Sequence, residues 1–155
     1  MRKFLLRLDS EKPVIWCGDM NVIHGDCDVV NMKAKRNKAP GCCDSERENF
    51  GMIVGGQGAI TEQQRAKRTL PIGRPGGKGL GFVDVWRLLH PCDGEIGHTF
   101  WSYRSKGRLK NLGWRLDYFV VSERLKSRVV DILRRNEFWG PSDHIPLVLV
   151  TKKQS

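Results

Sequence analysis

The apolar patterning of the chain predicts a mixed α/β fold. Three observations carry that expectation. Short β-rich runs recur along the sequence, helix-periodic stretches and long polar loops separate them, and no internal repeat or heptad pattern is present. At 155 residues the chain falls in the single-domain range, where folding buries roughly 70% of the unfolded surface. Hydrophobic residues make up 39% and charged residues 28%, a balance that suits a globular domain and excludes a wholly disordered chain.

The first element is a helix, because Phe4, Leu5 and Leu8 share one helical face. Pro13-Val14-Ile15-Trp16-Cys17-Gly18-Asp19 follows as a buried strand that ends on a glycine and delivers a carboxylate to a sheet edge. Ser45-x-x-Glu48 has the form of a capping box ahead of Phe50, Ile53 and Val54, and predicts a helix ending near Gly55-Gly56. From Gly55 to Gly81 the chain lacks an apolar period and is crowded with glycine, glutamine and basic residues, which predicts a mobile loop or insertion. Its Gly-rich end is a poor phosphate loop, since Lys78 is followed by Gly79 rather than Ser or Thr. A helix is expected over Val83 to Leu89, closed by Pro91. Strands are expected over His98 to Tyr103, Leu116 to Val121 and Ile145 to Val150, with weaker strand or helix character over Val129 to Leu133.

Lysine and arginine total 27 against 17 aspartates and glutamates, a net charge of +10. The positive charge is clustered: Lys33, Lys35, Arg36 and Lys38; Arg65, Lys67, Arg68, Arg74 and Lys78; Arg104, Lys106, Arg108 and Lys110. Such a field attracts polyanions, nucleic acid first among them, although a solvated basic surface explains the charge alone equally well. The five cysteines, Cys17, Cys27, Cys42, Cys43 and Cys92, show no C-x-x-C spacing, so neither a zinc knuckle nor a disulfide framework is suggested, and reduced intracellular thiols are expected. No apolar run approaches the roughly 20 residues of a membrane helix, and the segment after Met1-Arg2-Lys3 is too short for a signal-peptide core, so no membrane partner is expected.

Polar residues stand at strand ends in three places: Asp19 with Asn21, Asp117 within Trp114-Arg115-Leu116-Asp117-Tyr118, and Asp143 with His144. Singly, each is an ordinary turn residue. Together they suit phosphodiester hydrolysis, which needs a cation to neutralise charge, a base for water and donors for the developing oxyanion. Asp19 and Asp143 offer the hard oxygens that magnesium takes, and His144 could donate to a phosphate if Asp117 held its other nitrogen.

Cys17-Gly18-Asp19-Met20-Asn21-Val22, Gly113-Trp114-Arg115-Leu116-Asp117-Tyr118-Phe119 and Ser142-Asp143-His144-Ile145-Pro146 closely resemble, in order, three motifs of the exonuclease III type of abasic-site endonuclease. Arg2-Lys3-Phe4-Leu5, Asn31-Met32-Lys33, Ser45-Glu46-Arg47 and Thr99-Phe100-Trp101-Ser102-Tyr103 add to the similarity, which omits only about Gly55 to Gly81. The Gly-Asp-x-Asn and Ser-Asp-His motifs are shared with a wider superfamily of nucleases and phosphatases. The tryptophan-containing motifs resemble the abasic-endonuclease branch.

The resemblance implies a DNase I-like sandwich of two sheets flanked by helices, of which residues 1–155 would be the carboxy-terminal half. It implies that Asp19 orients or deprotonates the attacking water. Asp19, Asn21, Asp143 and His144 would lie at the metal, magnesium with manganese as a substitute, and His144 at the scissile phosphate or in proton transfer, its tautomer set by Asp117. Phe100, Trp114 and Leu116 would line the apolar pocket for a flipped abasic sugar. Asn31, Lys33 and Asn37 would lie along the phosphates, and Arg104 where the family inserts a side chain into the duplex. The implied partner is double-stranded DNA carrying abasic sites, cut in base excision repair in a nuclear or organellar compartment. The implied first half would bring further metal and phosphate ligands, so the isolated chain is expected to show little activity and poor solubility. A homo-oligomer or an amino-terminal half would cover the exposed sheet face. Two other readings fit the residues less closely, another phosphodiesterase or phosphatase of the superfamily and a noncatalytic DNA-binding relative.

Overall fold

The computed structural model describes residues 1–55, 79–90, 97–138 and 140–153. Helix α1 spans Arg2–Glu11, turns only Leu5 fully into the interior, and is closed by the Lys12 amide donating to the Leu8 carbonyl at 2.9 Å. Pro13, which cannot continue the ladder, follows at once. Strand β1 covers Ile15–Asp19. After a 3-10 turn at Asp26–Asp28 and the short α2 at Met32–Lys35, helix α3 runs over Asp44–Val54 and buries Phe50, Ile53 and Val54, the i, i+3, i+4 face read from the sequence.

Strand β2 (Phe82–Asp84) leads directly into α4 (Val85–Leu89), and β3 (Asp117–Ser122) is followed by a 3-10 segment at Glu123–Arg128, then β4 (Val129–Arg134) and β5 (Leu147–Thr151). Among the described residues these strands make two antiparallel sheets, one ordered β1-β3-β2 and the other β4-β5. The result is a mixed helix and strand fold, as the sequence predicts.

The central strand β3 separates two cores. Tyr118 and Val120 pack with Leu5, Val22, Phe50, Ile53, Val54 and Phe82 beneath α1 and α3. Val121 packs with Val83, Val85, Trp86 and Ile132 between the first sheet, α4 and the second sheet. Each such side chain, when fully buried, contributes roughly 1.5–3 kcal/mol of transfer free energy. A third cluster, Ile23, Val29, Met32, Cys42 and Leu116, lies with Phe100 and Trp114 beneath the strand ends that carry the candidate site. Ile15, Val130, Leu133 and Val148 remain exposed on the strands. No helix of the described residues is long and apolar enough to cross a membrane.

Four expectations need correction. Val83 and Asp84 belong to a strand, because Val83 pairs with Val121 and Asp84 with Val120; the helix begins only at Val85, with the Asp84 carboxylate accepting from the Arg87 amide. Pro91 lies outside the described residues, as does most of the segment expected to be an insertion, residues 56–78. The cap of α3 sits two residues earlier than Ser45, where the Cys43 amide donates to Glu46 at 3.3 Å. His98 to Tyr103 forms no regular strand: Phe100 alone makes bridges, to Trp114 and to His144, before the chain turns through Lys106 and Asn111 at positive φ. Finally, Cys27 is in a disulfide, whereas Cys17, Cys42 and Cys43 are free thiols; Cys92 lies outside the described residues.

Candidate active site

The site is built where β1 and β3 end side by side. Gly18, at φ +130°, takes a backbone conformation closed to most side chains. It precedes Asp19, which stands directly opposite Asp117 in the antiparallel register. Two carboxylates facing each other across a strand pair repel, and each is held by a different partner. Asn21, itself in the left-handed region at φ +49°, donates its backbone amide to Asp19 Oδ1 at 2.8 Å and its side-chain Nδ2 to Asp19 Oδ2 at 3.2 Å. Asp117 Oδ2 lies 2.8 Å from His144 Nδ1.

Local chemistry fixes both halves of the Asp117–His144 pair. The amides of Leu116 and Asp117 both donate to Thr99 Oγ1 at 3.1 Å, so a buried hydroxyl replaces a ladder partner just before β3 begins. The Ile145 amide donates to the Thr99 carbonyl at 2.9 Å, and the His144 amide to Ser142 Oγ at 3.1 Å. Thr99 therefore joins the two segments that carry the pair, a role the sequence reading missed. Its only sequence signal is its place before Phe100-Trp101.

Phe100 connects the polar pair to an aromatic wall. Its ring lies 5.0 Å from the His144 ring and 6.4 Å from Trp114, nearly perpendicular to the latter, and Leu116 packs in the same cluster. Lys35, unassigned from sequence, places its ammonium 5.4 Å from the Trp114 centroid and donates to the Val30 carbonyl. Phe100, Trp114, Leu116, Asp117 and His144 are thus brought together, with Asp19 and Asn21 across the strand pair.

The remaining candidates are more dispersed. Asp143 is half-buried, and its carbonyl accepts from the Trp101 amide at 2.9 Å; a cleft of about 180 Å³ lies between it and Tyr103, Lys106 and Leu109. Asn31 caps α2 by accepting from the Ala34 amide at 3.3 Å, with exposed Lys33 on the same turn. The Asn37 side chain is taken up by Asp44, donating to it and accepting from its amide, both at 2.9 Å. Arg104 is exposed on the turn after Tyr103.

Among the described residues no three His, Cys, Asp or Glu side chains gather as a metal-holding group. The donors at the end of β1 nevertheless fit magnesium, which keeps much of its water and needs only one or two carboxylates. Asp19 and Asn21 are both exposed, with the Asn21 Nδ2 group donating to Asp19, so the pair offers oxygen donors at the surface. A wider cleft of about 530 Å³ opens beside Asn21, lined by Arg2, Trp16, Met20, Glu46 and Asn49.

The sequence pattern of the Endonuclease/Exonuclease/phosphatase family matches residues 2–144. The chain is 40% identical over 147 residues to an exodeoxyribonuclease of Bacillus subtilis (strain 168), covering 95% of this chain and 48% of that protein. It is 37% identical over 148 residues to the DNA repair nuclease APEX1 of Danio rerio, covering 96% and 39%. The crystal structure of an AP endonuclease from Leishmania major superposes with a TM-score of 0.74 at 33% identity, covering 99% of this chain and 42% of that one. A 3′ phosphatase from Neisseria bound to a product DNA hairpin shares the fold, with a TM-score of 0.73 at 20% identity over 98% of this chain and 50% of that one. The chain thus spans half or less of the length of these relatives. It belongs to the endonuclease/exonuclease/phosphatase family.

Proposed function

We propose that the chain is the carboxy-terminal half of an endonuclease that hydrolyses the phosphodiester 5′ to an abasic site in duplex DNA. The observation that carries this reading is the Asp117–His144 contact of 2.8 Å set directly against the Phe100–Trp114 wall. It puts a proton-handling pair beside an apolar aromatic wall. In this reading that wall receives the flipped sugar, and a missing base lowers the cost of unstacking it.

In this reading Asp117 accepts from His144 Nδ1, fixing the ring and leaving Nε2 for a phosphate oxygen. Asp19, exposed and held by two hydrogen bonds from Asn21, orients the attacking water and takes its proton. Asp19 and Asn21, with Asp143, would hold magnesium, or manganese in its place, which supplies charge neutralisation at the phosphate. Lys33, Lys35 and Arg104 would lie along the DNA backbone, where the net charge of +10 draws the duplex in.

The test is binding and incision of a duplex carrying one abasic analogue, compared with His144→Asn. Selective incision lost with His144 supports the reading. Equal action on abasic and intact duplex points instead to a less selective phosphodiesterase, and salt-sensitive binding without any incision to a noncatalytic relative.

A further inference from the structure

The most heavily bonded group among the described residues does not touch the candidate site. Arg115 is 1% exposed, and Asp28 and Asp84 are both 0% exposed. The Arg115 guanidinium donates to Asp28 through Nε at 2.7 Å and Nη2 at 3.0 Å, and to Asp84 through Nη1 at 3.1 Å and Nη2 at 2.7 Å. Asp28 also accepts from the Gly25 amide at 2.8 Å and from the Arg87 guanidinium. One planar fork therefore joins three stretches of chain: the 3-10 turn at Asp26–Asp28, the junction of β2 with α4, and the approach to β3.

A buried ion cluster of this kind is a poor source of stability, because desolvation offsets most of its attraction and apolar replacements are often as stable or more so. What it does supply is geometry. Arg115 lies between Trp114 and Leu116, two residues of the proposed pocket. Its own amide donates to the Asp28 carbonyl at 2.8 Å, while Val29 bridges Trp114. Behind it, the guanidinium stacks 4.1 Å from the Tyr118 ring centroid, and the Tyr118 hydroxyl donates to the Val22 carbonyl at 2.7 Å, one residue beyond Asn21.

We propose that Arg115, clamped between Asp28 and Asp84, is a positioning residue that sets the pocket walls Trp114 and Leu116 and thereby the preference for abasic over intact DNA. The proposal rests on the function proposed above. Arg115 does not itself reach DNA, being 1% exposed, so its loss should leave affinity for intact duplex unchanged. Only the fit of the lesion should loosen.

The experiment measures fluorescence anisotropy in EDTA with two duplexes, one intact and one carrying a tetrahydrofuran abasic analogue. Wild type is compared with Arg115→Lys, which keeps the charge and loses the fork, and Asp84→Asn, which keeps the size and loses one clamp. Val83→Ala, a buried change in the neighbouring core, is the control for general loosening, and circular dichroism establishes that each variant is folded. If Arg115→Lys fails to fold, Asp84→Asn carries the comparison.

The expected result is a preference for the abasic duplex that falls roughly tenfold in both clamp variants, with intact-duplex affinity unchanged and Val83→Ala retaining the preference. Clamp variants that keep the wild-type preference, or a Val83→Ala that loses it equally, would overturn the positioning role alone. A wild type with no preference would overturn the functional reading and this proposal with it.

Discussion

Acid should destabilise this chain well before its carboxylates titrate, and two buried histidines set the size of the effect. His24 is 0% exposed, and neither ring nitrogen has a hydrogen-bond partner among the described residues; His98 is 3% exposed. Burial pushes both down from 6.5 to about 4, with Asp84 and Asp28 opposing the shift at His24 and Arg134 reinforcing it at His98. Both fold as neutral rings and gain a proton on unfolding at any pH between those values. Their contribution is therefore complete above about pH 6.5 and is lost as the pH falls towards 4.

Between pH 7 and pH 5, integrating that difference costs about 2 kcal/mol per histidine, or on the order of 3–4 kcal/mol for the two. Against a total stability of about 5–15 kcal/mol, this is a large share. Urea unfolding followed by tryptophan fluorescence at the two pH values should show a midpoint lower at pH 5 by roughly 1–4 M, given a slope of about 1–3 kcal/mol per M. Equal midpoints would refute the argument, since they would mean that the rings are charged in the fold or have found proton acceptors there.

Asp117→Asn should lower incision by about 10²- to 10⁴-fold with little effect on DNA affinity, because it removes the carboxylate that orients His144; single-turnover kinetics beside anisotropy separate the two effects. Trp114→Ala should abolish the preference for an abasic duplex while sparing affinity for an intact one, and an intact preference would remove Trp114 from the pocket. DNA affinity should fall steeply with salt, with a log–log slope that decreases by about 1 for each phosphate-contacting basic residue replaced; Lys33→Ala and Arg104→Ala test this, and an unchanged slope would take either off the DNA.

The sequence made the strand-end chemistry legible because each polar group borders an apolar β run within the same few residues. Asp19 and Asp117 could be read as strand-end carboxylates, and the structure sets them opposite each other. What it could not show were pairings made through space. Arg115 meets Asp28 across 87 positions and Asp84 across 31, and nothing local in those segments marks them as partners. The strand expected at His98 to Tyr103 failed for a related reason: its residues have β propensity, but Thr99 Oγ1 takes two amides that a ladder would otherwise have to satisfy. Val83 was read into a helix because its apolar neighbours suit either state, and the pairing with Val121 decided the matter. Cys27 carried no spacing signal for its disulfide.

The central claim is that Asp19, Asp117 and His144 act on a phosphodiester beside an abasic site. The most direct measurement is nicking of an end-labelled duplex with one abasic analogue by the purified chain, in magnesium or in EDTA, with His144→Asn alongside. The account predicts slow incision on the 5′ side of the lesion that disappears both in EDTA and in the variant. Incision that survives either change, falls on the 3′ side, or proceeds equally on intact DNA would contradict it, as would bound abasic duplex that is never cut.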